Sequence, residues 1–261
     1  MRSLSKLAKV SLVAACVIAL AAFAAPAQSN KNQEKGQERV QEQKRVQEQE
    51  VLHRAIRQKY ASGEQDGLNL VIYKIENGGQ TPINPATHSF KKGDQIRIEF
   101  QSNFDGYVYF INVPPKGEKV VFYPDVKFKD NNNIIRARQK YILPRESIFE
   151  FEEDQPGLEV IQVVMSRQPI PFLEDSIRKS GGVVASTAEG AASELKDLAS
   201  NRGGYDVEKP VKVVPDKSNV LTRSVRLAPP KEKDKEGAVV TVPDKLKDGE
   251  MAVFEIRLRR I

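Results

Sequence analysis

Tryptophan is absent from the 261-residue chain, cysteine occurs once at Cys16, and histidine occurs only as His53 and His88. These absences exclude whole classes of chemistry. A zinc site built from Cys and His lacks its ligands. Nucleophilic catalysis of the Ser-His or Cys-His kind needs a base set against a nucleophile and an orienting partner. His53 sits in a polar helical stretch, and His88 sits beside Ser89, where adjacent side chains on a strand point apart. HExxH, GxSxG, GxGxxG and GxxxxGK are missing too. The lack of Trp also weakens a carbohydrate-stacking platform.

Long apolar runs are scarce as well, and the longest stands at the start. "MRSLSKLAKVSLVAACVIALAAFAAPAQSN" reads as a secretory leader over residues 1–27. Arg2, Lys6 and Lys9 are followed by the apolar stretch from Val10 to Ala24 and by an Ala25-Pro26-Ala27 cleavage pattern. The run falls short of the roughly 18 residues a spanning helix needs, so no transmembrane span is expected after cleavage. "LVAAC" at Leu12–Cys16 also matches a lipobox, with Cys16 then carrying a lipid anchor. The short apolar stretch before Cys16 and the apolar residues after it favour ordinary cleavage. The expected location is periplasmic or extracellular, in a chain whose stability comes from its core and not from disulfides.

Charge of one sign is not in excess. The formal +6 falls to +3 once Arg2, Lys6 and Lys9 leave with the leader. Nucleic acid is not an expected partner, because binding it calls for a concentrated basic patch.

Residues 28–66 form a polar spacer. It repeats Arg-Val-Gln-Glu-Gln at Arg39 and Arg45, and its only apolar stripe is Leu52, Ile56 and Tyr60. The composition predicts a disordered or partly helical tether, helical in its last turns. Too few apolar heptad positions exist for a coiled coil.

Residues 67–168 change to period two. "LNLVIYKI" and "QIRIEFQ" alternate, with Ile96, Ile98 and Phe100 inward. "FDGYVYFINVPPKGEKVVFYPD", Phe104 to Asp125, is a hairpin whose first strand sets Tyr107, Tyr109 and Ile111 on one face and Val108, Phe110 and Val113 on the other. Its second strand sets Val121 and Tyr123 against Val120 and Phe122. A strand apolar on both faces is covered twice, by a facing sheet and by a helix or loop. "KYILP", "SIFEFEE" and "GLEVIQVVMS" continue the series, with turn signals every 8–12 residues or so. Together they predict a mainly β, antiparallel, immunoglobulin-like β-sandwich.

Residues 169–236 read as a helical and linker insertion. It comprises a short helix in "IPFLEDSIRKSGG", a second from Ser186 with Glu189 as a capping box, and the charged linker "APPKEKDKEG". Residues 237–261 end in the amphipathic "MAVFEIRLRRI". That strand is expected to return to the sandwich, in the sheet begun by Leu68 to Ile75, because an unpaired edge there invites aggregation.

The order Phe90-x-x-Gly93-Asp94, Ile96/Ile98/Phe100, Asp105-Gly106-Tyr107-Val108-Tyr109, Phe122-Tyr123-Pro124, Leu143-Pro144 and Pro156-Gly157 resembles the bacterial domain-of-unknown-function family 4384, over about Phe90 to Pro169. The resemblance implies an accessory module of exported or multidomain bacterial proteins, sometimes found beside caspase-like peptidase or kinase domains. It brings no catalytic residues with it.

Two carboxylate groupings remain. Glu150, Glu152, Glu153 and Asp154 allow a carboxylate-dependent hydrolase, although charges beside an edge strand more often serve solvation. Asp125, Asp130 and Asn131 to Asn133 allow calcium but lack the EF-hand order, and a turn is the favoured reading. The expectation is therefore a non-catalytic envelope module without metal or cofactor, binding a protein or glycan partner through Tyr107, Tyr109, Phe122 and Tyr123. A structural envelope component is a further alternative, and the oligomeric state is left open.

Overall fold

The computed structural model of the chain describes residues 27–113, 118–124, 133–152, 156–184, 204–206, 221–230 and 237–261. The leader with Cys16, the Pro-Pro-Lys-Gly turn, the helix expected from Ser186, Glu153 and Asp154, and all of the calcium candidates except Asn133 lie outside the described residues. The chain divides into two compact units, Met1–Gln47 and Glu48–Ile261.

The described part of the first unit belongs to helix α1, Ala27–Ser62. The expected spacer, residues 28–66, is thus helical as far as Ser62 and not only in its last turns, as befits a run of Glu, Gln, Lys and Arg with high helix propensity. Residues 35–47 are exposed.

The second unit begins with the end of α1 and continues as two β layers. In the first sheet, β1 (Gly67–Glu76) and β3 (Gln95–Ser102) pair along most of their length. Around them lie β2 (Gly79–Ile83), β7 (Lys140–Leu143), β8 (Phe149–Glu150), β13 (Arg226–Ala228) and β14 (Ala238–Thr241). The order is β13-β14-β1-β3-β7, with β2 on β1 and β8 on β3. The second sheet is built on β4 (Gly106–Val113), β9 (Gly157–Ser166) and β15 (Glu250–Arg260). It is completed by β5 (Lys119–Tyr123), β6 (Ile134–Ile135), β10 (Val183–Val184), β11 (Gly204–Asp206) and β12 (Leu221–Arg223). Its order is β10-β5-β4-β9-β15-β11, with β6 on β4 and β12 on β15. All pairings among these strands are antiparallel except β12 with β15.

Alternation decides what lies between the layers. Leu68, Leu70 and Ile72 of β1 and Ile96, Ile98 and Phe100 of β3 face Val108 and Phe110 of β4, Val163 and Met165 of β9, and Phe254 and Ile256 of β15 in one buried cluster. Each such side chain contributes about 1.5–3 kcal/mol by leaving water. This is the expected β-sandwich.

Two expectations change. The C-terminal strand joins the sheet opposite to the one expected: β15 runs along β9 from Met251↔Ser166 to Arg260↔Gly157, and β14 takes the place beside β1. The first half of β15, Met251 to Phe254, is apolar on both faces and lies along Val163 to Ser166 of β9, which are also buried, so pairing sets two doubly covered segments side by side in the sheet. Val113 shares the face of Tyr109 and Ile111, as odd-numbered residues on one strand must.

Two helices cover outer faces. At the end of α1, Ile56 and Tyr60 are buried against Ala228 and Val239, while Leu52, the first member of the expected stripe, stays exposed. Arg57 donates to the carbonyls of Pro229 and Gly237. Asn103 donates to the Tyr60 carbonyl, and Arg138 donates to that of Ala61. The bonds to Tyr60 and Ala61 satisfy helix-end acceptors that have no partner within the helix. Helix α2, Pro171–Ser180, opens on Pro171 at its first turn and ends with Gly181 in the left-handed region. It seals the outside of the second sheet, where Ile170 and Leu173 pack with Tyr109, Ile111, Val164, Met251 and Val253.

Candidate functional site

Sequence patterning nominates four aromatics, and the structure distributes them among three environments. Tyr109 is fully buried beneath α2. Its hydroxyl donates to Glu174 Oε1 at 2.5 Å and accepts the Ile170 N–H at 3.0 Å. Burial, reinforced by the Glu174 carboxylate, pushes its ionisation well above the ordinary tyrosine range. Asn133 donates to the same Glu174 oxygen at 2.8 Å, so this last member of the calcium candidates serves as a clamp. Tyr107 is half-buried at the margin of the same layer.

Phe122 and Tyr123 depart from the expected alternation. The β4–β5 register shifts between Phe110 and Ile111, so Tyr123 opposes Phe110 and Val121 opposes Ile111. The extra residue is Phe122. Such a bulge lets two successive side chains lean to one face, and both pack toward the intersheet cluster. Tyr123 lies 5.8 Å from the Phe100 ring and 6.0 Å from Phe110. Burial, with Tyr141 nearby, pushes its hydroxyl up to about 12.

Phe122 alone among the four lines a cleft, one of about 350 Å³ at one end of the sandwich. Both sheets build it. The first supplies Ile96, Phe149 and Glu150, followed by Phe151 and Glu152. The second supplies Asn112, Phe122, Glu159, Ile161, Leu258 and Arg260. Phe122 meets Phe149 edge-on, with centroids 5.3 Å apart, where β5 and β8 approach each other.

The wall is held in place from behind. Phe151 stacks on Phe90 at 4.6 Å; its N–H donates to the Asp94 carbonyl, and its carbonyl accepts from Gly93. Gly93 has φ 82°, a left-handed turn position that suits glycine. Phe90 in turn bridges to Arg260, fastening the end of β15 to the opposite layer.

Charge on the cleft is uneven. Arg260 is buried and pairs with Glu159 at 3.3 Å. Glycine at position 157 keeps that space open, since a Cβ there would come within 3.1 Å of the guanidinium. Glu150 accepts from Gln95 at 2.9 Å, and Glu152 forms no ion pair among the described residues. The cleft thus joins two groups nominated separately, an aromatic and the Glu150/Glu152 carboxylates. Sequence reasoning missed Asn112, Phe149, Phe151, Glu159 and Arg260. "FEFEE" signals alternating Phe and Glu but not that they meet Arg260, more than a hundred positions later.

No group of His, Cys, Asp and Glu that could hold a metal ion occurs among the described residues. No helix among them is long and apolar enough to cross a membrane.

Fold and cleft together define a two-layer antiparallel β-sandwich domain with an aromatic, carboxylate-bearing opening at one end. Residues 89–169 match the family described as a domain of unknown function (DUF4384). The matched segment holds every cleft residue except Leu258 and Arg260. Neither the curated proteins nor the solved structures give a match.

Proposed function

We propose that this protein is an exported, non-catalytic β-sandwich module of the bacterial cell envelope that binds a protein or glycan partner, and that the end cleft is where it does so. The N-terminal leader pattern and the polar segment after it support export and a domain held at a distance. The cleft carries the binding reading: both sheets converge there to leave an apolar floor open beside carboxylates, whereas the outer faces carry helices. Concave, mostly apolar sites with a few polar groups are the usual form of ligand sites.

The test is capture from cell-envelope extract by wild-type protein and by Asn112→Trp, which fills the cleft from an exposed position. The reading expects a partner retained by wild type and lost by the variant. Equal capture by both sinks it.

A carboxylate-dependent hydrolase is the second reading, favoured because Glu150 and Glu152 line the same cleft. It expects Glu150→Gln with Glu152→Gln to abolish hydrolysis of any substrate the wild type cleaves. Unchanged turnover removes it.

A further inference from the structure

We infer that the occupant of the cleft is a lysine or arginine side chain presented by an extended segment of a partner protein, an inference that rests on the cleft being the binding site. Size is the first argument. About 350 Å³ lies near the lower end of the roughly 300–1,000 Å³ typical of small-molecule pockets. That volume suits one long side chain better than a run of sugar rings.

Chemistry is the second argument. The floor is hydrocarbon: Phe122, Phe149, Ile96, Ile161 and Leu258. A lysine or arginine stem lies along such a surface while its charged head stays at the polar end. Three carboxylates line the space against one guanidinium, and Arg260 is already matched by Glu159. Glu150 and Glu152 are left to meet a cation. Gln95 engages Oε2 of Glu150 and no described group engages its Oε1, and a charge-assisted bond there is shorter and stronger than a neutral one. An anionic or wholly neutral occupant would leave these two carboxylates facing it without compensation.

Access is the third argument. Among the described residues β8, next to the cleft, pairs only with β3, through Gln95 and Ile96. No described strand occupies the other backbone edge of β8, the edge at which an extended peptide would add. Adding a strand there gives main-chain bonds, and alternate side chains of the added strand then fall toward the neighbouring cleft.

The experiment measures binding of acetyl-Val-Lys-Val-Lys-Val-amide to the full chain by calorimetry and by amide chemical shifts. A peptide with Gln in place of both Lys is the control. Wild type is expected to bind the lysine peptide at least about 10-fold more tightly than the control, with shifts at Asn112, Phe149 and Glu152. Glu150→Gln with Glu152→Gln should remove that preference, and Asn112→Trp should remove binding. Equal affinity for the two peptides, binding of neither, or an undiminished preference in the double variant overturns the inference. Should a lysine-independent envelope partner still be lost on Asn112→Trp, the inference falls and the cleft stands as a binding site. Should Asn112→Trp lose nothing in either assay, both fall.

Discussion

Tyr109 and Phe122 stand on neighbouring strands of one sheet, belong to the same aromatic-rich hairpin, and meet opposite surroundings. Tyr109 lies under α2 with its hydroxyl committed to Glu174 and Ile170. Phe122 lies at a bulge, half-buried, with part of its ring bordering the cleft. What separates them is the covering. A helix closes the outside of the second sheet, while nothing among the described residues fills the end between the sheets. A sandwich seals its faces by packing and leaves its ends to loops, and the ends are where contact with other molecules is made.

The sharpest way to break this contrast is to truncate the sealed member. Tyr109→Ala opens a cavity under α2 and should cost about 4 kcal/mol of unfolding free energy, read from urea midpoints. A cost close to zero would mean that α2 does not cover this face in solution.

Alkali acts on several sealed rings at once. Burial pushes Tyr60 and Tyr123 up to about 12 from an ordinary value of 10.0. The folded state therefore keeps protons that the unfolded chain releases. Stability from these groups is full below pH 10 and falls as pH rises from there through about 12. Phenolate absorbance followed together with circular dichroism checks this. Complete titration of the tyrosines near pH 10 with the fold intact would contradict it.

Tyr109→Phe keeps the ring and removes only the hydroxyl. The Ile170 N–H and the Glu174 carboxylate lose a buried partner, and the expected loss is about 1–3 kcal/mol. At the open end, Phe122→Ala should cost less, about 1–2 kcal/mol, because part of the ring already meets solvent. Its effect on partner binding should exceed its effect on stability; the reverse outcome would make the cleft ordinary core. Smallest of all, deleting residues 28–47 should shift the unfolding free energy by under about 0.5 kcal/mol, since the described side chains there are exposed.

Much of this architecture was legible beforehand. Period-two runs marked β1, β3, β4 and β9, and the two-sided apolar character of "YVYFINV" pointed to a strand covered twice. A short helix was expected in "IPFLEDSIRKSGG", where α2 lies, but only the fold made it the cover of that strand. The candidate site was legible in fragments: Phe122 as one of four aromatics, Glu150 and Glu152 as part of an acidic run. Two things hid the rest. A bulge changes the face of a side chain without changing composition, so Phe122 and Tyr123 were expected on opposite faces. Partners distant in sequence leave no periodic trace, so Arg260 could not be tied to Glu159, nor β15 to β9 in place of β1.

The amino-acid order alone determined the kind of material: alternating strands able to bury one face or two, a polar lead-in, and no Cys or His set for metal or nucleophilic chemistry. Which strands became neighbours, which aromatic was sealed, and where carboxylates and rings gathered around an opening were decided only in three dimensions. Side-chain alternation is a local consequence of backbone geometry, whereas pairing partners are selected by the joint burial of the whole sandwich.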